Sequence, residues 1–113
     1  MSRTDRERLE DILEATTQIL ALTDRGRSAF DTDLAIQPAL ERLLEIIGES
    51  ATRLSGEVME ALPDVDWSRI RRLRIVLAHH YHRVDPEQVW TIATSAVPSL
   101  LTQVQKRLSE ESG

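Results

Sequence analysis

The chain has 113 residues, a formal net charge of −5 and no cysteine. Its length suits one domain with a modest core, residues 1–113. The missing cysteine excludes disulfides, thiolate metal sites and a cysteine nucleophile. An acidic balance argues against broad nucleic-acid binding, which needs a basic footprint.

Few aromatics and only four glycines, against many Leu, Ile and Ala, favour helices over strands. The opening MSRTDRERLEDIL is charged and has no apolar h-region, so no secretory signal is read there. No apolar run approaches the roughly 20 residues needed to span a bilayer. The expectation is a cytoplasmic protein that does not engage a membrane.

In chain order, Thr4 and Glu7 form a T-x-x-E capping box that predicts a first helix starting at Thr4. Leu9, Ile12, Leu13, Thr16, Ile19 and Leu20 give it one buried stripe. Residues Asp24 to Asp33, with Gly26 and Phe30, form a polar break: a loop, or a loop with one short helical turn.

A longer helix is predicted over Asp33–Leu54, carrying Ile36, Leu40, Leu43, Leu44, Ile47, Ala51 and Leu54 inward. Leu34 and Ile46 widen its stripe toward a second neighbour. Gly48 costs about 1 kcal/mol relative to alanine, a loss tolerated where another backbone comes close. Glu45 and Glu49 read as its polar face, with the cleft of a dimer as the other placement.

Ser55–Leu62 reads as a short helix ended by Pro63. Asp66 caps the next helix, which turns Trp67, Ile70, Leu73, Val76 and Leu77 inward and frays around His79–His82. Asp85-Pro86-Glu87 restarts a helix with an N-cap, a proline at the first position and an acid at the positive helix end. The last helix uses Val89, Trp90, Ala93, Val97, Leu100, Leu101, Val104 and Leu108, with Pro98 as the place for a bend. Residues 109–113 are expected to fray. The sum is an all-α bundle of four to five helices.

One window departs from the rest. Residues 67–90 hold all three histidines (His79, His80, His82), the single tyrosine (Tyr81), both tryptophans and five of thirteen arginines. Residues 67–84 contain five arginines and no acid, a local +5 that leaves −10 on the remainder. Such a patch can hold a phosphate without gripping a long duplex; for an arbitrary chain the commoner meaning is a solvated arginine-rich face.

On a continuous helix, Arg74 and Tyr81 are separated by about 700° and share a face, whereas His79 lies roughly 140° from Arg74. His79 joins them where the helix unwinds. RNA cleavage needs a base for the ribose 2′-OH proton, an acid for the leaving oxygen and a cation for the phosphorane. Histidine suits the first two roles and a fixed guanidinium the third, with no cofactor or metal required. Spacing alone is a weak signal, because R-x4-H recurs by chance in arginine-rich helices. Three clustered histidines lack a carboxylate at helical ligand spacing, so no specific metal site is read. Trp67 and Trp90 read as core or hinge-anchoring aromatics rather than base-stacking platforms.

The segments WSRIRRLRIVLAHHY (67–81) and VDPEQVW (84–90) carry an R-x4-H-x-Y motif followed by a helix start. Upstream, LERLLEIIGESATRLS (40–55) precedes the turn from Pro63 to Trp67. Together they resemble the HepT-like toxins of the HEPN superfamily, specifically over 40–90 and in architecture over about 1–105. The resemblance implies a homodimer in which two motifs face one another across a cleft and cut RNA as a metal-independent endoribonuclease. It also implies a minimal nucleotidyltransferase antitoxin as partner, which in some systems transfers AMP to the motif tyrosine.

Carried over, Arg74 stabilises the phosphate, His79 is the acid/base, and Tyr81 is a site residue and the modification target. His80 also fits a broader R-x4–6-H spacing and could replace His79. His80, His82 and Arg71 are the auxiliary candidates; the bland reading of His80 and His82 is that they face solvent. One departure stands out. The residue after the motif arginine is usually polar, often asparagine, and here it is Ile75. That makes a catalytically impaired interaction module, binding a nucleotidyltransferase, the alternative to a live enzyme.

Overall fold

The computed structural model describes residues 1–78 and 85–112, with the backbone alone for Arg74, Val76, Ala78 and Ser112. Among the described residues there is no strand. The helices are α1 (Arg3–Thr23), α2 (Arg27–Thr32), α3 (Ile36–Thr52), α4 (Gly56–Ala61), α5 (Trp67–Ala78), α6 (Pro86–Thr91) and α7 (Val97–Ser112). A π-helical segment, Ile92–Ala96, joins α6 to α7 without a break, so these form one rod. The bundle thus has four long bodies, α1, α3, α5 and the rod, plus two single-turn helices in its connections. No described helix is long and apolar enough to cross a membrane.

α1 begins two residues earlier than the capping box predicts. Ser2 is the N-cap, its Oγ accepting from the Asp5 amide at 3.1 Å. Glu7 instead meets Arg3 at 3.1 Å on the surface. Asp5 is buried: Oδ1 accepts from the Ser55 amide at 2.9 Å and Oδ2 from the Ser55 hydroxyl at 2.8 Å. Ser55 in turn caps α4, its Oγ accepting from the Val58 amide. Burial pushes the Asp5 carboxyl up, but the bonds from Ser55 and Ser2 outweigh it and hold the group below its usual range.

α3 starts at Ile36, not Asp33. Asp33 Oδ1 accepts from the Ala35 amide at 3.0 Å, a local turn that keeps residues 33–35 out of the helix. Leu34 is therefore 86% exposed rather than part of the helix stripe. Ile46 does pack against the core, and α3 touches α1, α2, α5 and α6. Gly48 is buried within this crowded helix. Glu45 is half-buried and pairs with Arg42 at 3.1 Å.

The polar break contains the short helix α2, started after Gly26, whose φ of 91° is readily adopted by glycine. The bend expected at Pro98 takes the form of the π segment directly before it. Proline has no N–H to give to the carbonyl four residues back, and Val97 donates to Ile92, five residues back. The terminal residues predicted to fray are helical through Ser112. Arg107 pairs with Glu111 at 3.0 Å, and Glu111 also lies 3.7 Å from the chain's amino terminus.

Packing follows the order α5–α3–α1–α7, with each neighbouring pair in contact. Leu9, Ile12, Ile19, Leu40, Leu44, Ile47 and Val104 are sealed at their centre. A shallow groove lined by Ala21, Leu22, Ala39 and Leu43 runs along the outside of the α1–α3 seam. Along the fourth seam, between α5 and the rod, the described residues leave a cleft, lined on its floor by Leu44 and Ile47 of α3.

Candidate functional site

α5 carries the charged window. Asp66 caps it, Oδ1 accepting from the Arg69 amide at 3.1 Å. Trp67 is buried and its indole N–H donates to the Leu62 carbonyl at 3.2 Å, so it anchors the turn as the sequence predicts. Ile70, Leu73 and Leu77 follow at 3–4 spacing and are buried. Arg69, Arg71 and Arg72 are exposed, as is Ile75 at 59%.

The partners of the arginines separate α5 from α1 and α2, although the exposed Arg53 at the end of α3 also shows no ion pair among the described residues. Arg3, Arg6, Arg8, Arg25, Arg27, Arg42 and Arg107 each pair with a carboxylate. Among the described residues, no ion pair involves Arg69, Arg71 or Arg72; Arg71 donates to the Met59 sulfur at 2.8 Å. Among the described residues, three guanidinium groups within four residues of one helix therefore stand at the surface with no paired carboxylate. A mobile anion is the species such a face attracts.

Helical register divides them. Arg69 and Arg72 lie on the side of the buried stripe that borders the cleft, and both line it. Positions 71 and 74 fall on the other side, with 72 and 74 separated by about 200° of turn. Arg74 sits just before the last turn of α5. His79, His80, Tyr81 and His82 lie outside the described residues, so only the flanks of the motif are seen.

Those flanks are firmly held. On one side are the buried Leu73 and Leu77. On the other, the Asp85 carboxylate accepts from the Glu87 amide at 3.0 Å, with Pro86 at the first helical position. Arg27 of α2 grips Glu87 through its two Nη atoms and reaches Asp31 through Nε at 2.8 Å. The same guanidinium lies 5.3 Å from the Phe30 ring centre and 5.8 Å from that of Trp90, and the two rings are 5.0 Å apart. Hydrogen bonding from Arg27 holds the Glu87 carboxyl below its usual range, and the same contacts raise the Arg27 value. This clamp was missed by sequence reasoning. Its only trace was an isolated phenylalanine in a polar break.

The cleft was missed as well. It consists of two adjoining cavities of about 150 and 210 Å³ that share Leu44, Arg69, Leu73 and Ile92. Its walls come from helices distant in sequence, so no local pattern announces it.

The profile of a family described as "Ribonuclease HepT-like" matches residues 12–107. A protein of Methanocaldococcus jannaschii named "Putative RNase" is 33% identical over 106 residues, covering 93% of this chain and 88% of that protein. A protein of Thermococcus cleftensis named "Probable ribonuclease HepT" is 33% identical over 107 residues, covering 94% of this chain and 97% of its own length. No solved structure matches.

Proposed function

The chain belongs to the HepT-like ribonuclease family, and from that premise we propose that it is an endoribonuclease toxin whose motif residues Arg74 and His79 cut RNA without a metal. The observation that carries this reading is that, among the described residues, no carboxylate pairs with Arg69, Arg71 or Arg72 on α5, the helix that leads directly into the motif. Every other stretch of the chain with several arginines spends them on ion pairs.

The chemistry divides among few groups. A neutral His79 takes the proton of a ribose 2′-OH, whose oxygen attacks the adjacent phosphorus. Arg74 meets the charge that gathers on the phosphorane oxygens. The bond to the 5′ oxygen breaks, and that oxygen leaves with a proton from an imidazolium, giving a 2′,3′-cyclic phosphate and a 5′-hydroxyl. In a homodimer with facing motifs, one His79 is the base and its copy the acid. The rate then follows a bell-shaped pH profile.

Tyr81 is the modification target within this reading. A minimal nucleotidyltransferase antitoxin that places AMP there adds a bulky anion to a basic surface, blocking RNA entry by charge and volume. Expression in a bacterial host without the partner, beside Arg74→Ala and His79→Ala, tests the proposal. Wild type should slow growth and cut RNA, and each variant should lose both. If wild type does neither and the variants behave identically, the enzymatic reading fails.

One observation favours a second reading. Ile75, where a polar residue is expected, presents an apolar side chain that is 59% exposed beside Arg74. An exposed apolar group inside a basic face suits a protein contact, as in an impaired module that binds its nucleotidyltransferase. Mass spectrometry after co-expression separates the two: AMP on Tyr81 marks an enzyme under control, and an unmodified tight complex marks a binding module.

A further inference from the structure

We propose that the cleft between α5 and the α6–π–α7 rod is a base-reading subsite that takes one unpaired base of single-stranded RNA beside phosphates held by Arg69 and Arg72. The inference rests on the ribonuclease reading above and names a part of the substrate that reading leaves open.

Among the described residues, α5 meets the rod less closely than it meets α3, and two cavities lie along that seam. Charge selects between its two cavities. The smaller has Asp64 and Asp66 on its wall, which repel a phosphate. The larger, about 210 Å³, has Arg69, Arg72 and the neutral Gln88 among otherwise aliphatic walls from Leu73, Leu77, Val89 and Ile92. Its size is below the roughly 300–1,000 Å³ of sites for drug-sized ligands, which suits one planar ring and excludes a whole nucleotide. Extruded bases are held in this manner, between apolar walls with a hydrogen-bonding group on the base edge. Gln88 is exposed and offers both a donor and an acceptor.

RNA is favoured over a protein helix as occupant by the rim. Among the described residues, no carboxylate pairs with Arg69 or Arg72, and a polyanion supplies the missing charge. Register adds a prediction about where the base lies. Position 74 sits about 200° around α5 from Arg72, so a strand reaching both crosses the width of the helix. The cleft therefore reads a base neighbouring the cut, and the cut phosphate lies outside it.

The test uses the full-length protein and fluorescein-labelled single-stranded RNAs of one sequence, each with one abasic position. Binding is followed by anisotropy and cleavage by gel. For wild type, one abasic position near the cut should weaken binding about tenfold, within the range that a seated base contributes. Ile92→Phe, which fills the cavity, and Gln88→Ala, at an exposed position, should each shrink that penalty. If Ile92→Phe does not fold, Gln88→Ala decides alone. A wild type that cuts RNA with no position-specific abasic penalty overturns the subsite and leaves the ribonuclease reading standing. A wild type that cuts nothing but shows a penalty erased by the variants sinks the nuclease reading and keeps the subsite. Variants that retain the full penalty overturn the subsite. So does an Ile92→Phe protein whose only change is its oligomeric state by sedimentation, since the cleft is then a protein interface.

Discussion

α1 and α5 are both amphipathic and both rich in arginine, yet they use that residue in opposite ways. On α1, Arg3, Arg6 and Arg8 meet Glu7, Glu10 and Asp11 one turn along, at 3.1, 3.3 and 3.0 Å. On α5 the positions one turn along hold Leu73, Ile75 and Val76, and no acidic residue follows before Asp85. The guanidinium groups of α1 are closed into the helix surface, worth a few tenths of a kcal/mol each. Among the described residues, Arg69, Arg71 and Arg72 of α5 meet no carboxylate. Composition does not separate a solvating face from a binding face. The spacing of the counter-charges does.

The contrast can be broken from either side. The largest effect is expected at the motif: Arg74→Ala or His79→Ala should lower the RNA cleavage rate about 10²- to 10⁴-fold, measured on purified protein with a labelled RNA. Equal rates for all three proteins would reduce α5 to a solvated helix.

Next is Asp5, the carboxylate of α1 spent on structure. Asp5→Ala removes the carboxylate's bonds from Ser55 and from the Ser2 side chain, leaves the backbone N-cap bond to Ser2 in place, and should cost about 2 kcal/mol of stability at pH 7 in urea denaturation. Its folded-state value lies below the unfolded one. The contribution is thus complete above about pH 4 and disappears as pH falls through the depressed folded-state value. Wild type and variant should converge in acid, and a constant gap down to pH 2 would contradict the assignment.

A third change makes α5 resemble α1. Ile75→Glu places an acid three residues after Arg72 and four after Arg71. RNA affinity should fall about tenfold at low salt, with the salt slope reduced by about 1, while stability stays within about 0.5 kcal/mol. Unchanged affinity would mean the open charges on α5 do not touch RNA. The smallest effect is the converse: Glu7→Gln with Glu10→Gln removes the carboxylates that pair with Arg3 and Arg6 on α1. Stability should drop by well under 1 kcal/mol, with RNA affinity unaltered if position, rather than bare charge, makes the site.

The helices were legible wherever the cause is local. Asp85-Pro86-Glu87 is a start signal whose parts lie within three residues, and the structure has that cap. The stripe of Leu9, Ile12 and Ile19 is likewise a one-helix property, and all three are buried. Boundaries failed where two local solutions compete. Thr4 and Ser2 can both cap α1, and Ser2 wins because it lets Asp5 reach Ser55, fifty residues away. Leu34 looked like part of the α3 stripe until the Asp33 turn removed it.

The charged window was legible for a different reason. A counter-charge deficit is a property of the sequence, so Arg69, Arg71, Arg72 and Arg74 could be picked out without coordinates. The clamp of Arg27, Phe30, Glu87 and Trp90 could not. Its members are sixty residues apart, and nothing in either segment names the other.

By itself, then, the sequence determined the all-α class and the charged window, because helical period, capping and charge spacing act over a turn or two of chain; the family came from the resemblance of residues 40–90. Only the tertiary structure decided that α5 is packed on one side and open on the other. That asymmetry arises where helices far apart in sequence meet or fail to meet, and it gives Arg69 and Arg72 a cleft to guard.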